Sequence, residues 1–485
     1  MRSSIKIHYI IILLLLSAQI GVTQPYEGPD TLWTRVNALS GLEFYTSASV
    51  VSLSDGGVMI SGEYVTVGET DAGPCMARLD SSGNLLWLRS CNDSIPLHSY
   101  PTYMCQIGAD LFALASTAVG DRDDPCVTLC NGDGVVLGQR AFSIPYWQLV
   151  QGVCPSGDDG VTIIYDTQGP QTGSRIMCAM KVNIQGDCIW NYSYPIAGGS
   201  VLVNAIAPTS DGGYVLVGSS VRWTETHPIL IVKLDTDGYV EFTRSYNFYD
   251  ESYATDIAVL ANGDYIVSGS TILWSTMHSY AIVSRLDSSG ELLWTWFGDP
   301  SQGDSYAGGI IVMPDNGYTV GTNSLVRFDT NDRLIWRHAY SLPSPYQYVG
   351  WHEILDAQGR FVLIGSCYSS AAPNDQFLGI LKTYPDPALA AIQPLTPLPS
   401  GISLQVYPNP FNSTTQIQFT LPITQRVSLR LYDVLGREVA VLLNEMKTAG
   451  EHRLSFNGGG FSSGVYFCRL EAGKEMRTRK IVLMR

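Results

Sequence analysis

A hairpin motif returns roughly every 52 residues through most of this 485-residue chain, and few folds tolerate such a period. Its first turn residue stands at Asp80, Asn131, Asn183, Asp235, Asp287 and Asp329, at steps of 51, 52, 52, 52 and 42. Around it, Leu79-Asp80-Ser81-Ser82-Gly83-Asn84-Leu85-Leu86-Trp87 is echoed by Leu286-Asp287-Ser288-Ser289-Gly290-Glu291-Leu292-Leu293-Trp294. Seven residues beyond the turn residue comes Trp87, Gly138, Trp190, Phe242, Trp294 or Trp336, aromatic in five of six cases. A second turn precedes an apolar run in each unit: Asp55-Gly56-Gly57, Gly108-Ala109-Asp110, Asp158-Asp159-Gly160, Asp211-Gly212-Gly213, Asn262-Gly263-Asp264, Asp315-Asn316-Gly317 and Ala357-Gln358-Gly359. A fixed period marks one supersecondary unit whose apolar face is covered only by its neighbours. Asp, Asn and Gly supply the positive φ of tight hairpins. Between turns lie short β-branched and aromatic runs such as Tyr265-Ile266-Val267-Ser268, which read as strands. Four strands fit each unit, in the fifth near 252–260, 264–270, 279–286 and 291–297. Four-stranded units at this period predict a β-propeller.

The chain ends set the blade number. The last unit, from Ala357, has a third strand around Phe377–Thr383 and then meets Pro385, so its fourth strand is missing. Leu32-Trp33 stands alone near the N-terminus, with Trp33 22 residues ahead of Asp55; in later units the aromatic-to-turn distance is 20 or 21. The N-terminal segment is therefore expected to supply the outer strand of a seventh blade, which removes two exposed sheet edges. The expectation is an all-β chain with a seven-bladed β-propeller over residues 24–386. A proline-rich stretch over 387–400 then reads as an extended linker. The hairpins loosely resemble those of quinoprotein and other bacterial surface propellers, in which "LD-x-x-G-x-x-x-W" recurs. Quinone dehydrogenases of that kind usually have eight blades and a metal-carboxylate site, which this sequence does not display.

Arg2 and Lys6, an apolar run from Ile10 to Leu16, and small or polar residues through Thr23 form the three regions of a secretory signal peptide over residues 1–23. The run is far short of the roughly 20 residues of a membrane span. Nothing after residue 30 is long and apolar enough to cross a bilayer, so no span is expected in the mature form. From Gly401 onward 11 Lys+Arg face 6 Asp+Glu, a net +5. Without that part and the two basic residues of the leader, 16 Lys+Arg face 38 Asp+Glu, a net −22. So acidic a body repels polyanions, which excludes nucleic acid as the expected partner. Eight of the ten cysteines fall between Cys75 and Cys188. In an exported chain they read as disulfides of undetermined pairing or as buried thiols. Cys126 and Cys130 lack the companions of a zinc site.

The last 85 residues form another domain. Alternation of Val427, Leu429 and Leu431 with Ser428, Arg430 and Tyr432 points one face inward, and seven such short strands predict a small Ig-like β-sandwich over 401–485. Val406-Tyr407-Pro408-Asn409-Pro410-Phe411-Asn412, Leu431-Tyr432-Asp433-Val434-Leu435-Gly436-Arg437-Glu438-Val439, Ser463-Gly464-Val465-Tyr466-Phe467 and Lys480-Ile481-Val482-Leu483-Met484-Arg485 follow in order. This domain closely resembles the type A C-terminal sorting domain of the bacterial type IX secretion system. The resemblance implies recognition by the translocon, with Tyr407, Pro408, Asn409, Pro410, Gly464, Val465, Tyr466 and Lys480 as sorting determinants. It also implies removal by a sortase-like peptidase near Pro385–Ser400, and delivery through the periplasm to the outer-membrane surface or the medium of a bacterium.

Catalytic motifs are scarce. Gly460-Phe461-Ser462-Ser463-Gly464 matches the G-x-S-x-G elbow, which needs a strand-turn-helix in a parallel sheet; here it falls in a Gly-rich loop of the sandwich. His352-Glu353 begins a zinc-protease motif, but Asp356 stands where the second His would be. Asp121-Arg122-Asp123-Asp124 and Asp235-Thr236-Asp237-Gly238 offer oxygen ligands for Ca²⁺ without the full spacing of a calcium loop, and read as solvated turns. Neither a catalytic residue nor a resident cofactor or metal is expected. Ahead of the innermost strand of six blades come Tyr45, Tyr100, Trp147, Tyr253, Tyr306 and Tyr348. Circular symmetry would arrange them near one mouth of the channel, where flat aromatic faces with polar tips suit sugars and peptides. Packing between blades accounts for them more simply. The functional expectation is a non-enzymatic binding protein for a glycan or peptide, with a polysaccharide-acting hydrolase or lyase as the alternative.

Overall fold

In a computed structural model, the chain forms two compact units, residues 1–391 and 392–485. The structure describes residues 29–37, 42–66, 72–91, 95, 102–118, 123–157, 160–168, 174–195, 200–221, 227–344, 346–348, 352–370, 372–390, 402–421, 425–447, 450–473 and 475–484. The leader at 1–23 lies outside them, as do residues 391–400 of the expected linker.

The first unit holds seven antiparallel sheets. Blade 1 comprises Leu42–Ser52, Val58–Thr66, Ala72–Leu79 and Leu85–Ser90, and blade 2 Tyr103–Gly108, Leu111–Ala118, Asp124–Asn131 and Val136–Ala141. Blade 3 runs Gln148–Ser156, Gly160–Gln168, Arg175–Asn183 and Cys188–Tyr194, and blade 4 Ser200–Pro208, Tyr214–Val221, Ile229–Leu234 and Val240–Tyr246. Blade 5 runs Glu251–Val259, Tyr265–Leu273, His278–Leu286 and Leu292–Phe297, within two or three residues of the spacing-based expectation. Blade 6 is abbreviated to Ile310–Val312, Tyr318–Gly321, Leu325–Phe328 and Leu334–His338, which explains the single step of 42. Its second and third strands are joined by only Thr322–Ser324, where Thr322 Oγ1 accepts from Ser324 N at 3.1 Å.

Blade 7 is built from both ends of the unit. Its inner strand comes in two pieces, Tyr346–Tyr348 and His352–Leu355, followed by Arg360–Ser369 and Ala372–Pro385. Thr31–Asn37 completes it, with Trp33 opposite Lys382 and Asn37 opposite Leu378. The chain then departs from the extended linker expected at 387–400. Pro387–Ala390 make a helical turn, because Asp386 caps it by accepting from Ala388 N at 2.9 Å and Pro387 needs no donor partner there.

Each of the seven interfaces between blades has its own apolar cluster. Met59, Met76, Met104, Phe112 and Leu114 join blades 1 and 2; Val58, Ile60, Val362, Ile364 and Ile380 close the circle between blades 1 and 7. A second device joins the blades near the hairpin turns. The ring of Trp87 fills the space beside Gly134 of the next blade, where an added Cβ would lie 2.6 Å from the indole. Phe242 meets Gly290 likewise at 2.6 Å, Trp190 meets Gly238 at 2.9 Å, and Trp33 packs against Gly83. These glycines all have positive φ, between 73° and 85°. The periodic aromatic of the sequence is thus a fastener between blades.

A third device escaped the sequence reading. A basic residue on the third strand stands two positions before the turn in most units, as Arg78, Lys181, Lys233, Arg285, Arg327 and Lys382. Arg78 pairs with Asp55 at 2.8 Å and donates to Gly132 O of blade 2 at 3.1 Å. Arg285 pairs with Asp264 at 2.8 Å and with Asp332 of blade 6 at 3.1 Å. Lys382 pairs with Asp356 at 3.0 Å and reaches Gly56 O of blade 1 at 3.3 Å.

The second unit is a sandwich of a three-stranded sheet (Ser403–Tyr407, Thr414–Leu421, Gly450–Asn457) and a four-stranded sheet (Glu438–Lys447, Gln425–Tyr432, Gly464–Ala472, Glu475–Leu483). Val427, Leu429 and Leu431 are fully buried between them with Ile417, Phe419, Leu470 and Ile481, as their alternation predicts. Nine of the ten cysteines are buried and Cys188 is exposed.

Candidate functional site

Of the six aromatics singled out by position, Trp147, Tyr253 and Tyr306 have described side chains, and each belongs to a different blade, 3, 5 and 6. Tyr100 and the side chains of Tyr45 and Tyr348 lie outside the described residues. Tyr253 is half-buried; its hydroxyl donates to Glu251 Oε2 at 2.6 Å and sits 3.2 Å from His227 Nδ1. Burial, then the Glu251 contact, pushes its phenol up to about 12. Tyr306 is 62% exposed ahead of the short inner strand of blade 6. Trp147 is 53% exposed, beside Tyr146 with φ 74°. A non-glycine residue in that region carries strain that the surroundings must hold.

Trp147 lines a pocket of about 290 Å³ with Asp123, Gln148, Leu149, Asp166, Thr167, Gln168 and Arg175. The start of the inner strand, the end of the second and the start of the third meet there, so the pocket belongs to one rim of blade 3. Its floor is polar yet buried: Asp166 is 2% exposed and Gln148 3%. Gln148 donates to Pro145 O at 2.7 Å, while its Oε1 has no hydrogen-bond donor. Asp166 accepts from Val203 N at 2.9 Å and from Gln151 Nε2 at 3.1 Å, with Arg175 at 3.6 Å. Burial pushes its carboxyl up to about 6 against these partners. A half-exposed indole, buried acceptors and one guanidinium lining one pocket can hold a polyhydroxylated ring by stacking and directional hydrogen bonds.

Where the inner strands of all seven blades converge lies a second cavity of about 330 Å³. Its polar lining includes Gln151, Asn204, Thr255, Asp256, His352 and Glu353. None of the three described aromatics lines it; Tyr103 does. Asp256 accepts from Ile257 N at 2.8 Å and from Ile310 N at 2.9 Å. Burial lifts Asp256 to about 6, and burial together with the Asp256 charge lifts Glu353 to about 8. Sequence reasoning passed over these residues, although a signal exists: Gln151, Asn204 and Thr255 each stand seven residues ahead of the turns at Asp158, Asp211 and Asn262.

Among the described residues no His, Cys, Asp or Glu group is arranged to hold a metal. In the acidic turn at Asp235, Oδ1 accepts from Asp237 N at 2.9 Å and Tyr239 N at 2.8 Å, so that carboxylate organises its own turn. Asp121 and Arg122 lie outside the described residues. Ser462, centre of the G-x-S-x-G match, precedes an antiparallel strand and lends its carbonyl to Tyr466 Oη at 2.9 Å, which is no nucleophile elbow.

In the sandwich, two pieces of the sorting motif come together. Asn409 donates to Lys480 O at 2.8 Å and accepts from Val482 N at 2.8 Å, and Phe411 N donates to Val482 O at 2.9 Å. The Pro408–Phe411 segment thereby docks on the edge of the last strand. Gly464, Val465 and Tyr466 pair with Leu483, Val482 and Ile481. Tyr407 is left 80% exposed.

The chain thus combines an all-β unit of seven four-stranded propeller blades with a small β-sandwich. Residues 405–484 match the family model of the secretion system C-terminal sorting domain. The chain is a type IX-secreted β-propeller protein, delivered across the outer membrane to the surface or the medium. Its sorting domain implies recognition by that machinery, and no helix among the described residues is long and apolar enough to cross a membrane. No curated protein matches the chain. Among solved structures it is similar to the polysaccharide lyase Uly1, at 8% identity and TM-score 0.47 over 73% of this chain and 99% of that one. It is also similar to the β-propeller domain of the Trilobed protease from Pyrococcus furiosus, at 8% and 0.41 over 70% and 93%. The acylaminoacyl peptidase of Pyrococcus horikoshii aligns at 9% and 0.41 over 78% of this chain; the match spans only 58% of that enzyme.

Proposed function

We propose that the mature protein, starting after residue 23, is a non-enzymatic binding protein that holds a glycan on the rim of blade 3. The protein is displayed at the bacterial surface or released into the medium after a sortase-like peptidase cuts within or just after Pro385–Ser400. The observation that carries this is the pocket at Trp147: a half-exposed indole lines it together with Gln148 and Asp166, both nearly fully buried, and Gln148 Oε1 has no donor. A buried acceptor without a partner is costly unless a donor arrives, and a sugar hydroxyl is such a donor. Stacking by the indole supplies the apolar half of the contact. Tyr306, also exposed, is available for longer chains, and Tyr45, Tyr100, Tyr253 and Tyr348 stay in the proposal as positional candidates. The test is a screen of the purified protein against oligosaccharides and peptides, for binding and for turnover, with Trp147→Ala beside the wild type. Glycan binding weakened about tenfold or more, roughly 1.4 kcal/mol, supports the reading. Selective peptide binding, or a glycan bound equally well by Trp147→Ala, defeats it.

A polysaccharide-acting hydrolase or lyase is the second reading, favoured by the two acids that meet in the central cavity. Acids whose environments push their affinities for protons apart are how acid and base roles are divided. Both Asp256 oxygens are held by backbone amides, a posture that stores charge and supplies no nucleophile. Turnover lost in Glu353→Gln would transfer the conclusion to this reading.

A further inference from the structure

We propose that the central cavity is a binding site for an organic cation, with a primary ammonium group seated among Glu353, Asp256 and Asn204. This goes beyond the glycan reading and uses different residues. The two carboxyls come from blades 5 and 7 and converge on blade 6 between them. Asp256 Oδ2 accepts from Ile310 N at 2.9 Å, and a Cβ added to Gly309 would lie 3.2 Å from Glu353 Oε1. Glycine at 309 and at 321 makes the room that the Glu353 carboxyl occupies.

The donor deficit at this place is specific. Glu353 is 9% exposed and its Oε1 has no hydrogen-bond donor; Asn204 Oδ1, lining the same cavity, is also buried without one. Buried acceptors in native proteins are matched by donors. An ammonium carries three donors and no acceptor, so once Glu353 gives up its proton it answers two vacant acceptors and the remaining lone pairs of Asp256 at once. Among the described residues lining the cavity there is no Lys or Arg. The acidic body, net −22 between the leader and residue 400, draws cations toward it. A bare divalent ion would ask for six or more oxygens in a closed shell, more than these side chains offer.

Protons are linked to the binding. At pH 7 Glu353, raised to about 8 by burial and by Asp256, is mostly protonated. An ammonium favours the carboxylate, so the O–H proton leaves for the buffer as the ion pair forms. Asp256, His352 and Tyr103 are the other ionisable groups among the described residues lining the cavity.

The test is calorimetric titration of the full chain with 1,5-diaminopentane, its uncharged counterpart 1,5-pentanediol, and calcium chloride. Each is run at pH 7 in two buffers of different ionisation heat. We expect the diamine alone to bind, with a buffer-dependent heat that reports proton release, and Glu353→Gln to weaken it at least tenfold and remove that release. The proposal is overturned if the diol binds as well as the diamine, if calcium alone binds, or if Glu353→Gln holds the diamine as tightly as the wild type. Should that variant not fold, Asp256→Asn and the proton release of the wild type decide in its place. Glycan binding is read separately through Trp147, so either proposal can fail without the other.

Discussion

Single residues carry much of the chemistry that a repeat cannot announce. Glu353 is the clearest case. Folded, it titrates at about 8 against an ordinary 4.5, because it is buried and faces Asp256. Between those values the folded chain keeps a proton that the unfolded chain has released. Its contribution to stability is therefore complete below about pH 4.5 and is lost as pH rises through 8. Glu353→Gln, uncharged throughout, should flatten the fall in melting temperature across that window; an unchanged profile in the variant would contradict the assignment. The thiols give a second expectation. Burial pushes Cys105, Cys126 and Cys130 up to about 12, and only Cys188 is exposed. Thiolates are the reactive form, so a thiol reagent should label close to one cysteine in the native protein and all ten after denaturation. None of this was legible beforehand. An acid in an apolar strand looks alike in sequence whether it faces water, a partner or a cavity, whereas the place of Trp147 just ahead of an inner strand was legible from its distance to the recurrent turn.

At the scale of the element, the turns and what they pack against hold the blades in register. The periodic glycines were readable as turn formers, because Asp-x-x-Gly demands a left-handed residue. That the preceding blade's aromatic rests on the same glycine was not readable, since spacing along the chain carries no information about the neighbouring sheet. Gly134 has φ 73°, and a Cβ there would lie 2.6 Å from the Trp87 ring. Gly134→Ala should cost about 1–2 kcal/mol for the left-handed backbone alone, and more for the collision. Gly138→Ala, with nothing within 4 Å, should stay within about 0.5 kcal/mol. Denaturant titration of the two variants checks both. The basic residue of the third strand is the other fastener. Arg327 and Asp386 are wholly buried, paired at 3.2 Å, and Asp386 also accepts from Trp336 Nε1 at 3.1 Å. Arg327→Met strands that carboxylate and should cost about 3–5 kcal/mol; Asp386→Asn added to it should recover part of the loss if charge burial is the cause.

For the whole molecule the decisive step is closure. The turn spacing pointed to Trp33, and in the structure Thr31–Asn37 pairs with Ala372–Pro385 along its length. Tyr340 Oη donates to Pro29 O at 2.7 Å, and Tyr384 N donates to Asp30 O at 2.9 Å, so the bonded segment begins before the strand itself. Without it, Ala372–Pro385 would become an open edge, and the Trp33 ring would leave Gly83 of blade 1. An unpaired edge of that length is a template for pairing with another chain. This ties export to folding: removal of the leader must spare every residue from Pro29 onward. Mass spectrometry of the mature protein should therefore find an N-terminus at or before Pro29, close to the expected cut after residue 23. A chain engineered to begin at Gly41 should melt earlier and form concentration-dependent oligomers in light scattering. If that shortened chain stayed monomeric with an unchanged melting temperature, the N-terminal strand would not be what holds the ring shut, and the seven interfacial clusters alone would have to do so.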